Sequence, residues 1–252
     1  MRSAIWILVT LTLMAGNVMP APVMVGPVKA ASETDELLRR FAPVVVQNCA
    51  GRADYITKFD YDGNWNGQDN WDNFDKVTQL PAVVYTAAIT TTTHWYLTYS
   101  IFHPRDWWPI TSVPFVNHEN DLEGVLVVLE RKADGTPELI AVETISHHNI
   151  KRYSPHSAFQ SEKLDGKLVL EGEHPIVEAE KYKHGITAWQ GGDLAQAKGA
   201  VIYRYKGQAQ QPKSDSDRDV GYDFVTLSST FWARRNEVGA GKMYGEKGTY
   251  AQ

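Results

Sequence analysis

The chain has 252 residues, with 30 Asp and Glu against 25 Lys and Arg and a formal net charge of −5 at pH 7. That balance argues against a nucleic-acid partner, which calls for a basic face, and suits a cation or a cation-bridged partner. Cys49 is the only cysteine, so no intramolecular disulfide is available.

Residues 1–31 read as an export signal. Arg2 precedes Ile5–Met14, an apolar run well short of the roughly 20 residues that span a bilayer. Val28-Lys29-Ala30 offers a small-x-small cleavage site. The alternative is an uncleaved N-terminal anchor. Removal takes away Arg2 and Lys29 and no acid, moving the charge from −5 to −7. The expectation is a secreted, extracellular, monomeric protein whose mature domain is 32–252, long enough for one well-filled core.

Ser32-Glu33-Thr34-Asp35 is a helix start with Ser32 as cap. Leu37, Leu38 and Phe41 share a face, and Pro43 ends the helix. Val44-Val45-Val46 then begins a text of strands. Ala82–Thr93 and His94–Phe102 are dense in β-branched and aromatic residues. Gly124–Glu130 pairs naturally with Leu139–Ile145 across the Asp134-Gly135 turn. Shorter strands are expected at Lys167–Glu171, Pro175–Ala179, Ala200–Tyr205 and Tyr222–Ser228, with weak helical character at Asp193–Lys198. Gln208–Arg218 is a polar loop. The class is mainly β: one domain, a β-sandwich or jelly-roll-like fold with a short N-terminal helix.

The chemistry gathers at Asn117-His118-Glu119-Asn120-Asp121-Leu122-Glu123, which runs into the apolar strand. Residues two apart on a strand share a face, so Asp121 and Glu123 project together. His118 is expected in the preceding turn. Asp106 closes the aromatic strand upstream and joins the other three if the two strands pair. Three carboxylates and one imidazole suit a hard divalent cation, Mg²⁺ or Ca²⁺ before Mn²⁺, better than Zn²⁺. Acids at a strand end also commonly just face water.

At these residues the chain resembles the necrosis- and ethylene-inducing-like protein family. That family's hallmark is a Gly-His-Arg-His-Asp-Trp-Glu heptapeptide preceded by a Pro-Lys-Asp loop. Here the counterparts are Asn117–Glu123 and Pro104-Arg105-Asp106. The likeness extends to Phe41-Ala42-Pro43, Cys49, Asp60–Asn64 and Gly124–Val128, and covers roughly residues 35–150. It implies a β-sandwich with a metal held by Asp106, His118, Asp121 and Glu123. It also implies an acidic pocket that, in cytolytic members, recognises a sphingolipid sugar head group. Glu119-Asn120 replaces the family's Arg-His, Leu122 replaces its Trp, and Trp107-Trp108-Pro109 lengthens the loop. The metal site therefore carries over better than the toxicity.

Around the site, Trp107, Trp108, Glu119, His148 and His184 are expected at the ligand rim. Exposed tryptophan beside acids is how proteins grip sugar faces or membrane interfaces. Burial is the competing expectation for His184. Asp62–Gly67 opens like a Ca²⁺ loop, but Asn73 stands where a bidentate Glu is needed, which favours a polar turn. The leading expectation is a secreted binding protein whose metal-centred pocket engages a glycan or glycolipid head group at a membrane, with peripheral contact and membrane damage as the furthest extension. No catalysis is required. A metal-dependent hydrolase with Glu119 as base, and a structural surface protein stiffened by its ion, stay open as alternatives.

Overall fold

The computed structural model describes residues 32–109, 117–147, 149–156 and 163–238, all within one compact unit, Ser32–Gln252. The expected helix is α1, Glu33–Arg40. Asp35 N–H donates to Ser32 Oγ, and Ser32 N–H returns the bond to the Asp35 carboxylate, both at 3.2 Å. With both bonds made, two of the helix's orphan donors are satisfied. Leu37 and Leu38 turn inward, and Phe41 follows them into the core.

Twelve strands follow among the described residues. They are β1 Val44–Asn48, β2 Val83–Thr90, β3 His94–Asp106, β4 His118–Arg131, β5 Pro137–Ser146 and β6 Asn149–Ser154. The remainder are β7 Gly166–Lys167, β8 Leu170–Glu171, β9 His174–Ala179, β10 Ile186–Ala188, β11 Ala200–Tyr205 and β12 Val220–Thr226. Their spatial order is β10-β9-β1-β11-β12-β2-β3-β4-β5-β6-β7, with β8 on β9. The protein is mainly β, in a curled mixed sheet.

Strand β12 makes the corner. Its first half runs parallel to β11 and its second half, from Asp223, parallel to β2. A strand that changes partners in this way lets one sheet fold over itself as a sandwich does. The two faces meet where Thr144 Oγ1 on β5 donates to the Ile186 carbonyl on β10 at 2.7 Å.

Between the faces lies one core containing Val45, Tyr99, Val127, Val142, Val201 and Tyr222. Val44 and Val46 point the other way, into a smaller cluster with Ile176, Trp189 and Ile202. Burial on both faces explains why β1 reads as an unbroken apolar run. Buried tyrosines tie the non-strand segments down. Tyr99 Oη donates to the Leu38 carbonyl at 2.9 Å and Tyr222 Oη to the Pro43 carbonyl at 2.7 Å. Tyr85 Oη accepts from Phe59 N–H at 2.8 Å.

Three expectations need correction. His118 is not in a turn: β3 and β4 stay paired past their apolar parts, and the ladder reaches Asp106 opposite His118. Lys167–Glu171 is two short strands, β7 on β6 and β8 on β9, so its residues serve both faces. Helical character at Asp193–Lys198 is limited to a 3₁₀ turn, Leu194–Gln196, capped by Asp193.

The Asp62 segment is a polar turn. Asn64 N–H donates to Asp62 Oδ1 at 3.1 Å, and Asn73 Nδ2 donates to Asp62 Oδ2 at 2.7 Å. The 208–218 loop is pinned by Gln210 and Gln211, whose side chains accept from Gly221 N–H and Leu80 N–H. Among the described residues no helix is long and apolar enough to cross a membrane.

Candidate functional site

The site is built where β3 and β4 continue beyond the core. Across this ladder Asp106 faces His118, His103 faces Asp121, and Ile101 faces Glu123. A regular strand would send His118 and Asp121 to opposite faces. Asn120 breaks that alternation with φ 64°, a left-handed conformation that Asn tolerates better than other side chains. Its side chain is held on both ends, accepting from Asn70 Nδ2 at 2.6 Å and donating to the Gly67 carbonyl at 2.5 Å.

Of the four predicted ligands, Asp106 and His118 meet directly, and Asp121 and Glu123 follow along the same strand. His118 Nε2 lies 3.3 Å from Asp106 Oδ2. The other Asp106 oxygen is ion-paired with Lys183. Contact with Asp106 raises the His118 pKa against the opposing effect of burial, with the Glu119 carbonyl and the charge of Asp121 adding to it. Asp121 and Glu123 share a face, and both are buried.

Glu123 is the least comfortable group. Oε1 accepts from His147 N–H at 3.3 Å. Oε2 is buried and meets no hydrogen-bond partner among the described residues. Burial and then the charge of Asp121, with Asp106 and Glu180 adding to it, push this carboxyl from 4.5 up to about 9. A cation beside Glu123 would offset its burial and the repulsion from Asp121, and an unpartnered carboxylate oxygen is a donor that suits a divalent ion.

Beneath Asp121 lies a buried relay absent from the sequence-based expectation. His184 Nδ1 is 2.8 Å from Asp121 Oδ2, and its Nε2 is 3.0 Å from Asp54 Oδ1. Burial opposes a charge on His184, but hydrogen bonds to the two carboxylates outweigh it and raise its pKa to about 9. The His103 ring stacks on His184 at 3.8 Å and 9°. Burial and the neighbouring His184 charge hold His103 far below its ordinary value, opposite in direction to the shift of His184. His103 Nε2 contacts Gln47 Oε1 at 2.8 Å. His103, Asp121 and His184 thus offer ligand atoms within 4.8 Å of one another, a cluster that could hold a metal. Both nitrogens of His184 are already engaged by carboxylates.

No protein-family model matches the chain, and no curated protein matches it. Solved structures do. NLPPya in complex with mannosamine is 16% identical over 82% of this chain and 79% of that one, with a TM-score of 0.47. NLPPya in complex with glucosamine is 19% identical over 84% and 92%, with a TM-score of 0.42. Necrosis and Ethylene inducing Protein 2, from the causal agent of cocoa's Witches Broom disease, is 19% identical over 66% and 72%, with a TM-score of 0.41. The chain is similar to the necrosis- and ethylene-inducing proteins. Likeness this loose transfers no residue roles, which rest on this chain's own geometry.

The expected rim divides. Trp108 is 40% exposed and meets the Tyr182 ring edge-on at 5.7 Å. Trp107 is half-buried, 4.6 Å from the same ring. Glu119 is buried, its Oε2 accepting from Trp71 N–H at 2.9 Å, yet it borders a groove. His184 is no rim residue: it is fully buried beneath Asp121, because Asp54 and Asp121 supply the anions that let an imidazolium stay inside. His148 lies outside the described residues. The groove, of about 340 Å³, is lined by Gln68, Trp71, Asp72, Asn117, His118 and Glu119.

Asp54, His103 and Lys183 were missed. Only His103 carried a usable signal, since pairing Asp106 with the His118 segment places it opposite Asp121.

Proposed function

We propose that this is a secreted binding protein whose Asp106, His118, Asp121 and Glu123 hold a divalent cation, Mg²⁺ or Ca²⁺ ahead of Mn²⁺, and that the bound ion recruits a glycan or glycolipid head group. The observation that carries the reading is the buried Glu123 carboxyl, with one oxygen unpartnered among the described residues and two further carboxylates beside it. Such a cluster is costly without a cation, and oxygen-rich donor sets suit hard ions. When bound, the ion supplies open coordination positions for hydroxyl or anionic oxygens.

This chain's own residues do the rest. His184, fixed by Asp54, orients Asp121 as outer partners orient metal ligands. His118 faces both the ion cluster and the groove, whose volume lies in the roughly 300–1,000 Å³ range of small-molecule sites. Trp71 supplies an aromatic wall there, while Asn117, Gln68 and Asp72 supply polar contacts. Trp108 is placed to meet a sugar face or membrane interface.

The test is retention of the protein on a glycan panel and on glycolipid vesicles, with Ca²⁺ or Mg²⁺ and with chelator. Retention that chelator and Asp121→Asn both abolish supports the reading. Retention indifferent to both removes the metal from the function. Turnover of phosphoester or glycoside substrates that chelator stops would replace binding with hydrolysis.

A further inference from the structure

The acid cluster already contains a cation of its own. Lys183 Nζ is ion-paired with Asp106 Oδ1, and the side chains are 20% and 9% exposed. The ammonium is delivered by a turn held under strain. Tyr182 and His184, on either side of it, adopt φ 72° and φ 56°, a region non-glycine residues enter only when their surroundings force them.

The surroundings here do force them. Asp54 Oδ1 accepts from Tyr182 N–H at 2.9 Å and also faces His184 Nε2. Trp107 N–H donates to the Tyr182 carbonyl at 3.0 Å, and Glu180 N–H to the Gly185 carbonyl at 3.2 Å. Thus one buried carboxylate clamps the turn so that residue 184 enters beneath Asp121 while residue 183 reaches Asp106.

We propose that Lys183 is a tethered counter-cation that competes with the divalent ion for Asp106, so that metal entry requires the ammonium to leave. This rests on the metal reading above. Lys183 already occupies Asp106 Oδ1 and His118 Nε2 lies on Oδ2, so a divalent ion entering there adds positive charge beside the ammonium and repels it. Lys183 therefore supports the cluster when metal is scarce and sets the concentration at which metal takes over. A lysine suits the exchange, since its ammonium is a point charge on a flexible stem.

Two measurements on the full chain test this. In calorimetric titrations with Ca²⁺ and with Mg²⁺, Lys183→Met should bind at least about tenfold more tightly than wild type, the lower end of what close charge pairs are worth. Lys183→Arg should restore weak binding. In unmodified protein, acylation of Lys183 by an amine-reactive ester, followed by mass spectrometry, should be slow in chelator and accelerate when metal is added. This second readout needs no variant to fold. Metal binding by wild type with unchanged or weaker affinity in a folded Lys183→Met overturns the competition while leaving the metal site standing. Acylation that metal does not change overturns it as well. No metal bound by wild type or variant removes both.

Discussion

Replacing Glu123 with Gln should stabilise the metal-free protein at neutral pH and make it blind to metal. Burial, followed by the charge of Asp121, lifts the Glu123 carboxyl from 4.5 to about 9. Below pH 4.5 the folded and unfolded chains both hold this proton, so the group is neutral in its effect. As pH rises, the unfolded chain releases the proton while the folded chain keeps it, and stability falls until the folded group also ionises near pH 9. At about 1.4 kcal/mol per pH unit, that loss reaches roughly 3 kcal/mol by pH 7. Gln keeps the shape and removes the titration. Urea unfolding in chelator, from pH 5 to pH 8, reads the difference directly. The advantage of Glu123→Gln over wild type should widen steadily across that range. A difference that stays constant with pH would refute the argument, because it would show that the carboxylate ionises in the fold without penalty.

Other consequences can be checked alongside. His184→Ala leaves Asp54 and Asp121 buried without their shared imidazolium and should cost about 3–5 kcal/mol in urea unfolding. Because the His184 pKa rises from 6.5 to about 9, that cost should be largest below pH 6.5 and shrink as pH rises through 9. Gly67→Ala would drive a methyl against the Val238 carbonyl and the Phe59 ring, an overpacking expected to lower stability by about 1–3 kcal/mol in thermal unfolding. Trp71→Ala should weaken retention on glycan or glycolipid surfaces while leaving the heat of metal binding unchanged. Loss of both together would place Trp71 in the metal site rather than in the groove.

The helix at Glu33–Arg40 was legible because its signals are local: a Ser32 cap, first-turn acids, and apolar residues one turn apart. The β4–β5 hairpin was legible for the same reason, through its Asp134-Gly135 turn. Pairing of β3 with β4 could be inferred from two neighbouring β-rich runs, and it is this pairing that brings Asp106 to His118. The strand state of His118–Asp121 was not legible. His, Glu, Asn and Asp carry little β propensity, and the register imposed by the longer ladder overrides it. Nor could Asp54 be found, because it meets His184 across 130 positions of sequence and lies in a 3₁₀ turn with no motif. The sandwich corner at β12 was equally hidden, since a change of partner between Tyr222 and Asp223 leaves no mark on hydrophobic pattern.

The most direct test of the central claim is calorimetric titration of chelator-treated protein with Mg²⁺, Ca²⁺ and Mn²⁺, paired with thermal unfolding of the same samples. One ion should bind per chain, and it should stabilise the fold by about 2.7 kcal/mol when present at about 100 times its dissociation constant, with both effects lost in Glu123→Gln. Absence of heat and of stabilisation with all three ions, in wild type still folded by circular dichroism, would contradict it.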